Sequence, residues 1–284
     1  MTLTGSLREY RYHFLLVLVV VAALYWNIVP PMVADWYNDE NYSHGFIVPL
    51  VAGYFTYIRR EELAEALVAP SGAGLAVVLL ALAQLTVAWL GTEYFLMRSS
   101  LVVLIAGMVL YLFGSAVFRL LFLPVLYLFF MVPLPYILYD AVAFPLKLFV
   151  TKVSVKTLQL MGVVVLREGN IIMFPSTTLE VADACSGIRS LVSLLALAVA
   201  YACMMTKSPL RRWVIVLSAV PIAICTNALR VIATGVLAQY WGARAAEGFF
   251  HEFAGLAVFA VAMVLLVGVG ALLKTKDHGE GDGK

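Results

Sequence analysis

Four short polar groups interrupt an otherwise apolar chain, and their side chains are those of acyl-transfer chemistry. Asp183-Ala184-Cys185-Ser186-Gly187-Ile188-Arg189-Ser190 offers a thiol, and Asn227-Ala228-Leu229-Arg230 an amide and a guanidinium. His251-Glu252 offers one imidazole, and Ser43-His44-Gly45 another. A thiolate attacks carbonyl carbon, an imidazole moves protons near neutral pH, and forked arginine donors suit an oxyanion or a carboxylate. Ser186 or Asp183 can cap the helix expected after Cys185, where unpaired N–H groups favour negative charge. The thiol is therefore expected to ionise below its usual value of about 8.5, with Arg189 or Arg230 adding to the effect. Asn227 stands three residues before Arg230, on the same helical face, and can orient it or donate to the same oxygen. His44 is expected to line the cleft or help hold substrate, without a catalytic role.

Each residue also has a plainer reading. A boundary cysteine is commonly inert, an arginine at a helix end snorkels to head groups, and a boundary histidine often serves as a hydrogen-bonded spacer. Chemistry is favoured because the four groups fall at one expected depth although long apolar stretches separate them in sequence. Cys203 and Cys225 lie inside apolar runs and read as packing residues. With three cysteines, no CxxC pair and no histidine at ligand spacing, neither a disulfide framework nor a metal site is expected. No glycine-rich phosphate loop, HExxH or paired catalytic carboxylates appear, so no cofactor is expected, and ATPase, metalloprotease and aspartyl chemistries are disfavoured.

The elements that must position these groups are membrane helices. Of 284 residues, 63% are hydrophobic and 13% charged, with mean hydropathy +0.96. A soluble domain carries roughly 45–50% apolar and about 25% charged residues, so lipid must solvate the excess. A net charge of +2 gives no reason to expect a nucleic-acid partner. Apolar runs at 14–30, 73–90, 99–118, 187–205, 213–229 and 252–273 are long enough to span. Shorter, proline-bearing runs at 45–58 and 120–135 bring the expected number to about eight. The run 14–30 lacks a small-residue cleavage site and reads as an anchor. Arg8, Arg11, Arg59, Arg60, Arg119, Lys207, Arg211, Arg212, Lys274 and Lys276 then all fall on one side, which the positive-inside rule makes cytoplasmic, as are both termini. The acidic loop 35–40 and the four polar groups fall on the outer side.

Residues 139–161 are apolar but carry Lys147, Lys152 and Lys156, which this reading places near one helical face. Lysines in lipid cost about 2.5–3.5 kcal/mol each near the centre. The segment is therefore expected as an amphipathic helix on or just beneath the outer surface. Two β-branched runs around Arg167-Glu168-Gly169-Asn170 read as a hairpin, and Thr177–Val181 as a further strand leading to Cys185. The fold class is thus an all-α polytopic membrane protein with a small β-hairpin. It reads as one integral domain over 1–274 and a polar, disordered tail over 275–284.

The residues also carry a likeness to a known family. Ala184-Cys185-Ser186-Gly187-Ile188-Arg189-Ser190, Asn227-x-x-Arg230 and His251 resemble the Cys, Arg and His motifs of exosortases and archaeosortases. Tyr42-Ser43-His44-Gly45-Phe46-Ile47-Val48-Pro49-Leu50 and Met131-Val132-Pro133-Leu134-Pro135 resemble further exosortase segments, so the likeness covers roughly 40 to 273. The resemblance implies an inner-membrane cysteine transpeptidase of Gram-negative bacteria that also make exopolysaccharide, with its active site facing the periplasm. Its implied substrates are secreted proteins ending in a short motif such as Pro-Glu-Pro, a transmembrane helix and a basic cluster. The implied partners are those proteins, membrane lipid and an acceptor of the lipid or polysaccharide kind. Soluble sortases use a similar residue set on an unrelated β-barrel, so that likeness is one of site and not of fold. Two other readings stay open at this point. One is an intramembrane cysteine protease that only hydrolyses, and the other a transporter or scaffold whose polar residues line a pathway.

Overall fold

A computed structural model describes residues 2–175, 178–181, 188–241 and 249–279, with backbone alone at 241, 249–253 and 274–279. The chain forms two compact units, Met1–Pro135 and Tyr136–Lys284. The first contains α1 (Leu3–Glu9), α2 (Arg11–Leu24), α3 (Val29–Asn38), a 3-10 turn (Glu40–Phe46), α4 (Ile47–Ile58), α5 (Arg60–Glu65), α6 (Gly72–Leu90) and α7 (Tyr94–Tyr127). A second 3-10 turn, Leu128–Met131, closes it. Helix α2 buries none of its residues and exposes Leu15, Leu16, Leu18, Val19 and Val20, a surface that only lipid solvates well.

Helices α6 and α7 are the principal pair of this unit. Gly74 lies against the Tyr111 backbone and Gly107 against the Val78 backbone, so a side chain at either would strike the opposite helix. Small residues let main chains approach where no hydrophobic effect drives helices together. Gly114 interrupts α7 with φ 85° and ψ −176°, and the Ala69 carbonyl occupies the place a Cβ would need. The Ala69 N–H donates to Phe113 O at 3.2 Å, which locks the break.

Side chains from α3 and the turn after it grip the segment that follows α7. Trp36 Nε1–H donates to Met131 O at 2.8 Å, and the Tyr42 hydroxyl donates to Leu134 O at 3.2 Å. His44 Nε2 lies 3.1 Å from Phe130 O, so this nitrogen carries the proton of the neutral ring. Nearby, Arg98, buried in the first turns of α7, pairs with Asp35 at 2.6 Å. The Tyr25 and Ser100 hydroxyls meet at 2.8 Å.

The second unit contains α8 (Tyr136–Leu160), strands β1 (Leu166–Glu168), β2 (Ile171–Met173) and β3 (Thr178–Glu180), then α9 (Ile188–Met205), α10 (Pro209–Trp241) and α11 (Phe249–Gly279). The strands form one antiparallel sheet in the order β1-β2-β3. The expected hairpin is present, but its first strand starts later than the β-branched run suggested. Gly169, with φ 60°, takes the first turn position, where a type II′ turn needs glycine, and this draws Arg167 and Glu168 into the strand. The sheet packs through Ile172 and Val181 on Val150 and Leu158 of α8 and Val231 of α10. A second core joins Leu194, Ala198 and Ala202 of α9, Ile215, Ala219 and Ala223 of α10, and Ala262 and Leu266 of α11.

The protein is predominantly helical and polytopic, with a small sheet, but the expected eight spans are not confirmed. Among the described residues five helices are long and apolar enough to cross: Gly72–Leu90, Tyr94–Met131, Ile188–Met205, Pro209–Tyr240 and Ala254–Leu273. The pair Arg11–Leu24 and Val29–Asn38, bent by 63°, makes a sixth if counted as one span. The run 45–58 forms only the 12 residues of α4. The runs 99–118 and 120–135 share the single stretch Tyr94–Met131, in which Pro124 leaves the helix continuous and the break comes at Gly114. Helix α8 is long enough but is not among the five. Its lysines do not share a face: Lys147 is buried, whereas Lys152 and Lys156 are exposed. At 100° per residue they stand about 140° and 180° from Lys147 around the helix.

Two outcomes follow for the first unit. Gly114→Val should destabilise it by roughly 2–5 kcal/mol, from backbone strain plus the clash with Ala69, while Gly53→Ala, which meets open space, should be neutral in the same detergent unfolding assay. Burial lowers the His44 pKa from the ordinary histidine value, more than the hydrogen bonds to Phe130 and Asn41 raise it. The neutral ring therefore contributes fully above about pH 6.5, and that contribution is lost as pH falls through the lowered folded value. The unfolding midpoint of the wild type should drop over that window relative to pH 8, and by less in His44→Gln.

Candidate active site

Helix α10 carries the polar centre of the second unit. After Arg211 and Arg212 it runs through small and apolar residues, and the hydroxyls of Ser218, Thr226 and Thr234 are satisfied within the helix. Thr226 Oγ1 donates to Ile222 O at 2.8 Å and Thr234 Oγ1 to Arg230 O at 2.9 Å, which neutralises their burial cost. Asn227 is buried and Arg230 half-buried, three residues apart and so on one face, as their spacing requires.

That face meets α11 at Gly255. A methyl group built there would touch Arg230 Nη2 and Cζ at 3.4 and 3.5 Å, so the guanidinium lies across the glycine. His251 stands four residues earlier in α11, which places its backbone one turn away along the same face, about 6 Å. The arginine and the histidine motifs, separated by 20 residues in sequence, thus converge through α10 and α11.

Helix α9 brings the third motif to this unit. It starts at Ile188, three residues after Cys185, and Arg189 lies in its first turn. Ile188 packs with Tyr139 and Ala143 of α8, so the start of α9 is held against the first half of that helix. Further along, Ser154 of α8 donates to Ala228 O of α10 at 3.4 Å, and Leu158 fills the space above Gly235. Helix α8 therefore contacts both the element that follows Cys185 and the element that carries Asn227 and Arg230.

Asp183, Cys185 and Ser186 lie outside the described residues, as does the side chain of His251. His44 belongs to the first unit, where its ring is bonded to Phe130 O. No group of three or more His, Cys, Asp or Glu residues suited to a metal ion occurs among the described residues. Lys147 is the residue that sequence reasoning misplaced. Its phase with Ala143, Thr151, Ser154 and Leu158, at steps of three and four, is the signal that assigns it to the packed face.

No curated protein and no solved structure matches the chain. The model of one family, described as transmembrane exosortase, matches residues 36–268. That range takes in the His44 turn, Cys185, the Asn227–Arg230 face and His251, and leaves out only the first helices and the last turns of α11. With most of its length matched, the chain belongs to the transmembrane exosortase family.

Proposed function

We propose that this membrane-embedded sorting and processing protein is a cysteine transpeptidase. It cleaves the C-terminal sorting signal of exported proteins on the outer face of the inner membrane and transfers the product to an acceptor. The observation that carries the reading is the Arg230 guanidinium lying across Gly255, one helical turn from His251 and on one face with Asn227. A fixed cation, an amide donor and a titratable ring are the parts that acyl transfer from a thiol needs. Membership of the exosortase family supports the same assignment.

In this mechanism the substrate's C-terminal helix enters among the spans and brings its sorting motif to the outer boundary. The Cys185 thiol gives its proton to His251, and Sγ attacks the scissile carbonyl carbon. Arg230, with Asn227, stabilises the oxyanion, an interaction worth about 10²–10³ in rate for a well-placed donor. The C–N bond breaks, His251 returns the proton to the leaving amine, and a thioacyl-enzyme remains. An amine or hydroxyl acceptor, deprotonated by His251, then displaces the thiolate. Water in the acceptor's place would give hydrolysis.

Four substitutions test this in cells that express a tagged, exported protein bearing a Pro-Glu-Pro-type C-terminal signal. Cys185→Ala should abolish the size shift on immunoblot, with membrane insertion unchanged, and full cleavage in this variant would overturn the nucleophile. Arg230→Lys should slow processing roughly 10²-fold or more, because an ammonium lacks the fork. Gly255→Leu should slow it comparably by displacing the guanidinium, whereas Gly255→Ala fits at contact distance and should process normally. The intact mass of the wild-type product then separates transfer, which adds mass, from hydrolysis, which does not.

A further inference from the structure

The exposed side of α8 changes character along its length. Leu138, Val142, Pro145 and Phe149 are all exposed and follow one another at steps of three and four, so they form one apolar stripe. From Leu138 to Phe149 the stripe is about 16 Å long at 1.5 Å per residue. It continues at the same steps into Lys152 and Lys156, which are exposed as well. One face of one helix is thus apolar in its first half and cationic in its second.

A third cation joins the second half. Arg167 of β1 is exposed, and its Nη1–H donates to Leu148 O at 3.3 Å. In an α-helix that carbonyl points toward the N–H of residue 152, so the guanidinium sits at the turn that bears Lys152. Lys156 stands one turn further on, about 6 Å along the axis. None of the three has an acidic partner among the described residues, where the ion pairs are Arg60–Glu61 and Arg98–Asp35. The nearby carboxylates belong elsewhere. Asp140 is roughly 120–160° round α8 from the two lysines. Glu168, next to Arg167 in β1, points to the opposite side of the sheet, and Glu180 accepts from Asn170 Nδ2 at 3.3 Å. Like charges four residues apart on a helix repel, so the patch is complementary to a bound anion.

The surroundings indicate which anion. The sheet that follows α8 has β1 and β3 as its outer strands, and their unpaired backbone groups cannot lie in hydrocarbon. The apolar stripe at the other end of α8 has the opposite need. The boundary between lipid tails and water therefore falls along the second half of α8, at the level of the cations. A free phosphate would satisfy the charges and leave Leu138, Val142 and Phe149 uncovered, whereas a phospholipid supplies both parts at this depth. We propose that Lys152, Lys156 and Arg167 bind the phosphate of an anionic phospholipid whose acyl chains lie along Leu138, Val142 and Phe149. This site is independent of the acyl-transfer chemistry proposed above.

The test titrates the full-length protein in neutral detergent with phosphatidylglycerol or phosphatidylcholine of the same chain length and counts bound lipid by native mass spectrometry. Wild type should bind phosphatidylglycerol about tenfold or more tighter, a preference that shrinks as salt is raised. Lys152→Gln combined with Lys156→Gln should reduce the preference roughly tenfold, with phosphatidylcholine binding unchanged, and the matching double arginine variant should retain it. Arg167→Gln, a variant outside the helix, should reduce it about fivefold. Arg8→Gln combined with Arg11→Gln removes two charges from exposed positions of the first unit and should leave the preference intact. Thermal unfolding without lipid should be unchanged or slightly raised in the double glutamine variant, because two like charges are separated from each other. Absence of a preference in wild type overturns the proposal, as does a preference that survives in both the lysine and the Arg167 variants. An equal loss in the Arg8 and Arg11 variant also overturns it, since net charge alone would then account for binding. Inorganic phosphate at the lipid's concentration should not compete, and displacement of phosphatidylglycerol by it would replace the lipid with a free anion as the ligand.

Discussion

The seam between α8 and α10 is the contact on which the second unit depends. Hydrocarbon offers no partner for a polar group, so every hydroxyl, amide and charge on these helices must be met by protein. Ser154 reaches across to Ala228 O, Thr151 and Thr234 bond back to their own helices, and Leu158 covers Gly235. With those groups satisfied, the seam holds α10 so that Arg230 lies across Gly255 of α11. It also lays the first half of α8 against the start of α9. The sheet caps the same seam through Ile172 and Val181.

The first unit solves a related problem by different means. Its helices approach through glycine, at Gly74 and Gly107, and the chain breaks where Gly114 yields to the Ala69 carbonyl. Past α7 the backbone leaves its helix, and three carbonyls that would otherwise lack partners are taken by Trp36, Tyr42 and His44. The Tyr42–Leu50 and Met131–Pro135 segments are tied together by the bond from the Tyr42 hydroxyl to Leu134 O. In this unit His44 acts as a donor to a carbonyl, and burial favours its neutral ring.

The acyl transfer proposed above gains from one feature of this architecture. Arg230 is held by packing across a glycine, so its donors need little reorganisation when charge develops on the substrate oxygen. An arginine fork keeps its charge at every accessible pH, which leaves the imidazole and the thiol as the titrating members.

Composition and motif spacing alone determined that the chain is polytopic, helical and of the exosortase kind. A chain 63% hydrophobic has no other solvent than lipid, and a Cys, Arg and His set in that order is legible without coordinates. The pairing of Asn227 with Arg230 was legible too, since helical geometry fixes residues three apart on one face. Tertiary structure decided the rest. Apolar length cannot distinguish a span from a short helix such as α4, and it cannot place a break whose cause is a carbonyl 45 residues away, as at Gly114. The partner of Arg230 on α11 is a glycine, which has no side chain to announce it. Lys147 looked like a surface charge beside Lys152 and Lys156 because charge was read before phase. Only the packing of α8 shows that the helix turns one lysine inward and two outward.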